Sequence, residues 1–182
     1  MGRAGRAAIA NDLPRLRAEW QLDFVVVNGE NATAGMGLSG DHAKLILDAG
    51  ADVVTLGDHA FDQKDMLTFI TNEQRIIRPL NFSKSAPGVG ARVFTAPGGR
   101  KVLVTQVLGQ VFMKRPFDDP FSALDTVLKT HPLGGLASAI IVEHTVCVLL
   151  PGLALNKLER QRRGIINQGN KNRARSKICR TS

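Results

Sequence analysis

Two short polar segments follow two apolar stretches of the chain, and their side chains could carry metal chemistry. Asn28-Gly29-Glu30-Asn31 comes directly after Phe24-Val25-Val26-Val27, and Gly57-Asp58-His59 comes directly after Val53-Val54-Thr55-Leu56. Carboxylates, amides and an imidazole are ligands for hard or borderline divalent cations such as Mn, Fe, Mg or Zn. We therefore expect a metal site wherever the fold brings these two segments together.

The residue types suggest which groups would bind metal and which would transfer a proton. Asp58 and His59 could share metal ligation and proton transfer between them. In two-metal hydrolases the ions lie about 3.5–4 Å apart and a carboxylate usually bridges them, which makes Glu30 the natural bridging candidate. The spacing alone leaves a plainer alternative open, in which Asn28-Gly29 is a turn and Asp58 is a helix cap.

Alternating strand and helix patterns would bring the two segments together. We predict strands over 23–28 and 52–56, a helix over 39–48 with Ser39 as its N-cap, and a second helix that begins at Asp62 or Gln63. This βαβα alternation indicates a parallel sheet covered by helices. The carboxyl ends of parallel strands meet at one edge of the sheet, where α/β proteins bind ligands.

The apolar spacing of the helices predicts which residues face the sheet. In these two helices the expected inward residues are Leu45, Ile46, Ala49, Met66, Leu67 and Ile70. A further helix is predicted over 4–19, and Pro14 should kink or divide it.

In the second half of the chain the pattern changes from alternating strands and helices to two consecutive strands. Two alternating apolar runs, over 91–96 and 101–107, are joined by a Pro-Gly-Gly segment, which predicts a β-hairpin. Asp118-Asp119-Pro120 can cap a helix that runs to Thr130, and 137–142 has the composition of a buried strand. An antiparallel part should therefore follow the parallel one.

The net charge of +8 over 182 residues comes from one end of the chain. Residues 156–182 hold nine Lys or Arg and one acid, Glu159, so the other 155 residues carry 15 basic and 15 acidic side chains and are neutral. A nucleic-acid partner is therefore not expected, except for nonspecific binding through the tail, since no aromatic residues are interleaved with the basic ones.

The sequence also indicates in which cell compartment the protein is expected. No apolar run is long enough to cross a bilayer and the first residues lack the apolar segment of a signal peptide, so we expect a cytoplasmic protein without a membrane partner. The two cysteines, Cys147 and Cys179, form neither a metal pair nor a disulfide framework.

Several motifs occur in one order and at one spacing over about 2–142. They are Asn28-Gly29-Glu30-Asn31-Ala32, Gly35-Met36-Gly37-Leu38, residues 50–62, Arg78-Pro79-Leu80-Asn81-Phe82, Pro87-Gly88-Val89-Gly90 and Asp118-Asp119-Pro120-Phe121. Through them the chain resembles the YmdB-like family of metallophosphoesterases, within the calcineurin-like superfamily.

The resemblance implies a four-layer α/β/β/α sandwich with two divalent metal ions, Fe or Mn, that hydrolyses a small phosphodiester such as a cyclic nucleotide. It implies that Glu30 bridges the two metals, that Asn31 and Asp58 are ligands, and that His59 protonates the leaving oxygen or stabilises the transition state. The family more often has Asn where this chain has Asp58. The added negative charge would strengthen metal binding and repel a phosphate.

Other family ligands have no match in this chain. The family opens on a strand whose Asp binds metal, just before the segment that matches 2–6, and it carries three more histidine ligands after the strand that matches 139–142. His144 falls one place before the first of these histidines, so in a continuing strand it would point to the opposite face. We therefore expect an incomplete sandwich, shortened at its amino end.

The family pattern stops after Val142. We predict a partial metallophosphoesterase domain over 1–142 and a divergent basic segment over 143–182 that is disordered or poorly packed. Translation in a shifted reading frame would produce such a segment, and a genuine basic arm that binds RNA, DNA or an acidic surface is the alternative.

Two classes of function follow. The first is a metal-dependent phosphodiesterase that uses Glu30, Asn31, Asp58 and His59. The second is a catalytically incompetent remnant, because Glu30, Asn31 and Asp58 alone are too few ligands for two ions.

Overall fold

A computed structural model of the protein describes residues 2–110, 113 and 117–145. These residues form four α-helices and two three-stranded sheets, which confirms the predicted α/β class. In chain order the elements are α1 (Arg3–Glu19), β1 (Val26–Asn28), α2 (Gly40–Asp48), β2 (Val53–Thr55), α3 (Met66–Asn72), β3 (Ile76–Ile77), β4 (Ala91–Thr95), β5 (Lys101–Leu108), α4 (Pro120–Thr130) and β6 (Ala139–Thr145).

The first sheet is parallel, in the strand order β1-β2-β3. Val26 lies beside Val53 and Asn28 lies beside Thr55, so β1 and β2 end level with each other. The predicted strands are therefore present but shorter than expected, and β3 was not predicted because two residues are too few to show a period.

The second sheet is mixed. The hairpin prediction is confirmed, since β4 and β5 pair antiparallel and a 3₁₀ turn at Pro97–Gly99 joins them. Strand β6 pairs parallel with β5 from Ala139 to Thr145. It therefore continues through Glu143 and His144, past the point at which the sequence motifs stop.

The two sheets pack face to face through a small apolar core. Its buried residues are Val53, Ile77, Ala96, Val102 and Val104. On its other face the first sheet packs against α1, α2 and α3 through a larger core that includes Leu13, Ala43, Ile46, Leu47, Val54, Met66, Ile70 and Ile76. Helix α4 contacts β5. The described residues thus form an α/β sandwich.

Three details of the helices differ from the sequence analysis, the first being that α3 begins at Met66 and not at Asp62 or Gln63. Ile46, Met66 and Ile70 are buried as expected, whereas Leu45 and Leu67 are 38% and 44% exposed, so the expected inward faces were too wide. Helix α1 continues through Pro14 instead of dividing there. None of the helices within the described residues has the length and apolar content needed to cross a bilayer.

Polar contacts fasten α1 to the first sheet. The Arg17 guanidinium bonds both oxygens of Asp52, at 2.8 and 3.1 Å, and it also donates to the carbonyl of Gly50. Asp52 Oδ2 in turn accepts the backbone N–H of Val25 at 2.7 Å. One partly buried carboxylate therefore connects the end of α1, the start of β1 and the start of β2.

We expect Asp52→Ala to lower the free energy of unfolding by about 2 kcal/mol, because it leaves a guanidinium and a backbone N–H without their charged acceptor. Urea unfolding would measure the change. Asp23→Ala is the matched control: Asp23 pairs with Arg100 at 2.6 Å, but both side chains are more than half exposed, so this pair should contribute less than about 1 kcal/mol. Equal losses in the two variants would contradict the assignment.

Candidate active site

The turns that follow β1 and β2 meet at the carboxyl edge of the parallel sheet. Glu30 follows β1 and its side chain is only 7% exposed. Its Oε1 accepts the backbone N–H of Asp58, which follows β2, at 2.8 Å. The backbone N–H of Glu30 donates to Asn28 Oδ1 at 3.0 Å. The structure thus brings together the two polar segments on which the sequence analysis depends.

Gly57 makes the space for the Glu30 carboxyl group. A Cβ atom on Gly57 would lie 1.8 Å from Glu30 Oε1 and 2.0 Å from Glu30 Cδ, so no other residue type could occupy this position without moving that side chain. The close approach of Glu30 to the β2 turn therefore depends on glycine in Gly57-Asp58-His59.

Glu30 and Asp58 hold their protons unequally. Burial raises the pKa of Glu30 to about 8, and the hydrogen bond to Asp58 with its negative charge adds to the rise. The same hydrogen bond from Glu30 lowers the pKa of Asp58. At neutral pH a protonated Glu30 therefore donates to an ionised Asp58, and a cation that binds both groups would displace that proton.

His59 lies beside this pair and is oriented by a residue that the sequence analysis missed. Its Nδ1 is 2.6 Å from Asp62 Oδ2, and its Nε2 is 3.8 Å from Asp58 Oδ2. The hydrogen bond to Asp62 raises the pKa of His59, so the imidazolium form is favoured. The signal for Asp62 was its position three residues after a candidate catalytic histidine.

Asn31 takes a less direct part in this arrangement. It follows Glu30 in the same turn and its side chain is half-buried. The hydrogen bonds that join Glu30, Asp58, His59 and Asp62 do not include it. Its role as a ligand stays a prediction.

A second missed residue, Glu143, reaches the site from the other sheet. Asn28 Nδ2 donates to Glu143 Oε1 at 2.8 Å, although the two residues are 115 positions apart. Burial raises the pKa of Glu143. The neighbouring His144 is half-buried, alternation along β6 points it to the opposite face, and burial lowers its pKa.

The donor set fits a divalent cation in kind but not in number. Carboxyl oxygens from Glu30 and Asp58 are suitable ligands for Mn, Fe or Mg, and burial first, then the nearby acid Asp58, raises the pKa of Glu30. Among the described residues, however, no group of three or more His, Cys, Asp or Glu is placed to hold a metal ion. Within the part of the chain that the structure describes, Glu30 and Asp58 by themselves are therefore an incomplete set of metal ligands.

Known proteins share this arrangement of elements. The sequence model of a family described as YmdB-like protein matches residues 1–146. A 2′,3′-cyclic-nucleotide 2′-phosphodiesterase of Bacillus subtilis is 32% identical over 128 residues, which are 70% of this chain and 48% of that protein.

Two solved structures also match. A hypothetical protein from Thermus thermophilus superposes with a TM-score of 0.73 at 36% identity, covering 81% of this chain and 55% of that one. A structure described as a novel phosphatase from Mycoplasma pneumoniae superposes with a TM-score of 0.72 at 32% identity, covering 81% and 52%. The chain spans about half the length of the curated relatives that it matches.

The contact between Gly57 and Glu30 can be tested by a double-mutant cycle. We expect Gly57→Ala to lower the free energy of unfolding by about 1–3 kcal/mol, because the new methyl group forces the Glu30 side chain out of its place. In a Glu30→Ala background the same methyl group meets no carboxyl group and should cost much less. Urea unfolding of the four proteins measures the coupling; an equal cost in both backgrounds would contradict this packing.

The pKa of Glu30 predicts how stability depends on pH in protein freed of divalent metal. The folded state keeps a proton on Glu30 up to pH of about 8, whereas the unfolded chain loses it near 4.5, so stability should fall as pH rises between these values. The slope from one such proton is about 1.4 kcal/mol per pH unit. The raised pKa values of His59 and Glu143 act in the same direction, and the lowered pKa of His144 acts in the opposite one.

Glu30→Gln keeps the oxygen that accepts the Asp58 N–H and has no proton to lose. Chelator-treated Glu30→Gln should therefore be the more stable protein at pH 8, and its stability should fall less between pH 5 and 8 than that of the wild type. Urea unfolding at several pH values measures both slopes. Parallel slopes would show that Glu30 ionises normally.

Proposed function

We propose that this chain, which belongs to the YmdB-like protein family, carries part of the active site of a metal-dependent phosphodiesterase. The observation that carries the proposal is the bond from the Asp58 backbone N–H to the Glu30 carboxyl group at the carboxyl edge of a parallel sheet, with His59 beside the Asp58 carboxyl group. The similarity to a cyclic-nucleotide phosphodiesterase and to a phosphatase structure supports the same class of reaction.

Geometry supports the roles of Glu30, Asp58 and His59, whereas the role of Asn31 rests on the family resemblance. Glu30 and Asp58 would hold divalent metal through their carboxyl oxygens, with Asn31 as a further oxygen ligand. When bound, the metal supplies a water of lowered pKa and positive charge that stabilises the phosphate in the transition state. His59 keeps a proton on Nε2, because Asp62 accepts from Nδ1 and favours the imidazolium form, and it can pass this proton to the leaving oxygen.

The finer assignments rest on relatives. We propose Fe or Mn as the metal and a cyclic nucleotide as the substrate, since one relative is named for 2′,3′-cyclic nucleotides. The negative charge of Asp58 strengthens metal binding, and it limits how closely a phosphate can approach until the metal is bound. The cytoplasmic location stays a prediction.

A second candidate function follows from the incomplete ligand set. Because no group of three or more His, Cys, Asp or Glu within the described residues can hold a metal, the chain could instead be a catalytically incompetent remnant of the family. The predicted basic segment over 143–182 would then act as a nonspecific polyanion-binding tail. Residues 146–182 of that segment lie outside the described residues.

Hydrolysis of a chromogenic phosphodiester by the full chain in the presence of Mn²⁺ separates the two functions. We expect Mn²⁺-dependent turnover, and we expect His59→Ala to lower kcat by about 10²–10⁴-fold because it removes the proton donor. His131→Ala is the matched control, since His131 ends α4 and bonds Thr130 there, outside the site. Wild-type protein that shows no Mn²⁺-dependent turnover would support the remnant.

A further inference from the structure

Polar side chains lie between the two sheets at the end where the site is. On the first sheet, Asn28 and Thr55 share the face of Val26 and Val53, which pack against the second sheet. On the second sheet, Gln106 lies opposite Glu143 and shares the face of Val102 and Val104. The apolar core between the sheets is thus replaced by polar groups at its carboxyl end.

A chain of hydrogen bonds crosses this polar end from one sheet to the other. Glu143 Oε1 accepts from Asn28 Nδ2 at 2.8 Å, Asn28 Oδ1 accepts the N–H of Glu30 at 3.0 Å, and Glu30 Oε1 accepts the N–H of Asp58 at 2.8 Å. The Asn28 amide is bonded at both its nitrogen and its oxygen. Its orientation is therefore fixed by Glu143 on one side and by the Glu30 turn on the other.

Besides the bond from Asn28, Glu143 Oε1 accepts from the Thr145 hydroxyl at 3.4 Å, so both hydrogen bonds of this carboxyl group fall on one oxygen. Its Oε2 is buried and has no hydrogen-bond partner among the described residues, and the same is true of Gln106 Oε1 and Thr55 Oγ1. Burial raises the pKa of Glu143, and Gln106 and Thr55 are nevertheless near enough to oppose that rise, so polar groups surround its carboxyl group. The bond from Asn28, the shorter of the two to Oε1, links that carboxyl group to the Glu30 turn.

We infer that Glu143 is a positioning residue for the proposed metal site: it orients the Asn28 amide, which holds the Glu30 turn and so sets the place of the Glu30 carboxyl group beside Asp58. The inference rests on the proposed function only for its purpose, because the hydrogen bonds themselves join residues of this chain. Outer residues of this kind commonly change metal affinity about 10–100-fold when they are replaced.

Four variants of the full chain test the inference. Glu143→Gln keeps an oxygen acceptor for Asn28, whereas Glu143→Leu removes it at similar size. His144→Leu is the matched control, since it changes the next residue of β6 on the opposite face. Asn28→Ala removes the same series of hydrogen bonds at an exposed position. It replaces Glu143→Leu in the test if that variant does not fold.

The first measurement needs no metal. In amide NMR spectra of chelated protein, Glu143→Leu and Asn28→Ala should both shift the backbone amide signals of Glu30 and Asp58. Glu143→Gln and His144→Leu should leave these signals near their wild-type positions. Unmoved signals in Glu143→Leu, or equal shifts in Glu143→Leu and His144→Leu, would overturn the inference.

The second measurement is Mn²⁺ affinity by titration calorimetry. Glu143→Leu should bind Mn²⁺ about tenfold more weakly than wild type, with affinity largely kept in Glu143→Gln and unchanged in His144→Leu. Equal loss in Glu143→Gln and Glu143→Leu would overturn the role of the acceptor oxygen. If wild-type protein binds no Mn²⁺, the proposed function fails, and the amide signals still decide whether Glu143 positions Glu30.

Discussion

The arrangement of the site depends on one constraint, the burial of the Glu30 carboxyl group against the turn that carries Asp58. Burial raises the pKa of Glu30 to about 8, and the hydrogen bond to Asp58 with its negative charge adds to the rise, so without a cation a proton stays on Glu30 at neutral pH. The surroundings make the burial feasible: Gly57 leaves room for the carboxyl group, and the Asp58 N–H gives it a donor. This edge of the sheet therefore suits a bound cation, which would displace the proton of Glu30.

The same faces of the strands build both the core and the site. Side chains alternate along a strand, so the face of β1 and β2 that buries Val53 between the sheets also presents Asn28 and Thr55 at its carboxyl end. Sheet packing therefore decides the register of the polar groups. A one-residue slip in β1 or β2 would turn the apolar side chains away from the second sheet and would carry the polar ones with them.

Much of this could be predicted from local sequence. The meeting of Glu30 with Asp58 followed from the rule that parallel strands end at one edge, and the Ser39 cap and the hairpin followed from residue preference. Helical spacing gave the direction of the inward faces but not their width, which is why Leu45 and Leu67 were misplaced. Glu143 could not be found this way, because its partner Asn28 is 115 residues distant and only the pairing of β6 with β5 brings it near.

The link between Glu143 and Asn28 makes the site a property of both sheets. Asn28 ends β1, Glu143 lies in β6, and the apolar contacts of Val53, Ile77, Val102 and Val104 set the separation across which the two side chains bond. The Asn28 amide oxygen also accepts the Glu30 N–H. A change in the separation of the sheets would therefore move the Glu30 carboxyl group through two hydrogen bonds. None of these hydrogen bonds involves a residue of the apolar core between the sheets. That core nevertheless helps to determine the geometry of the site, because it sets the separation of the two sheets.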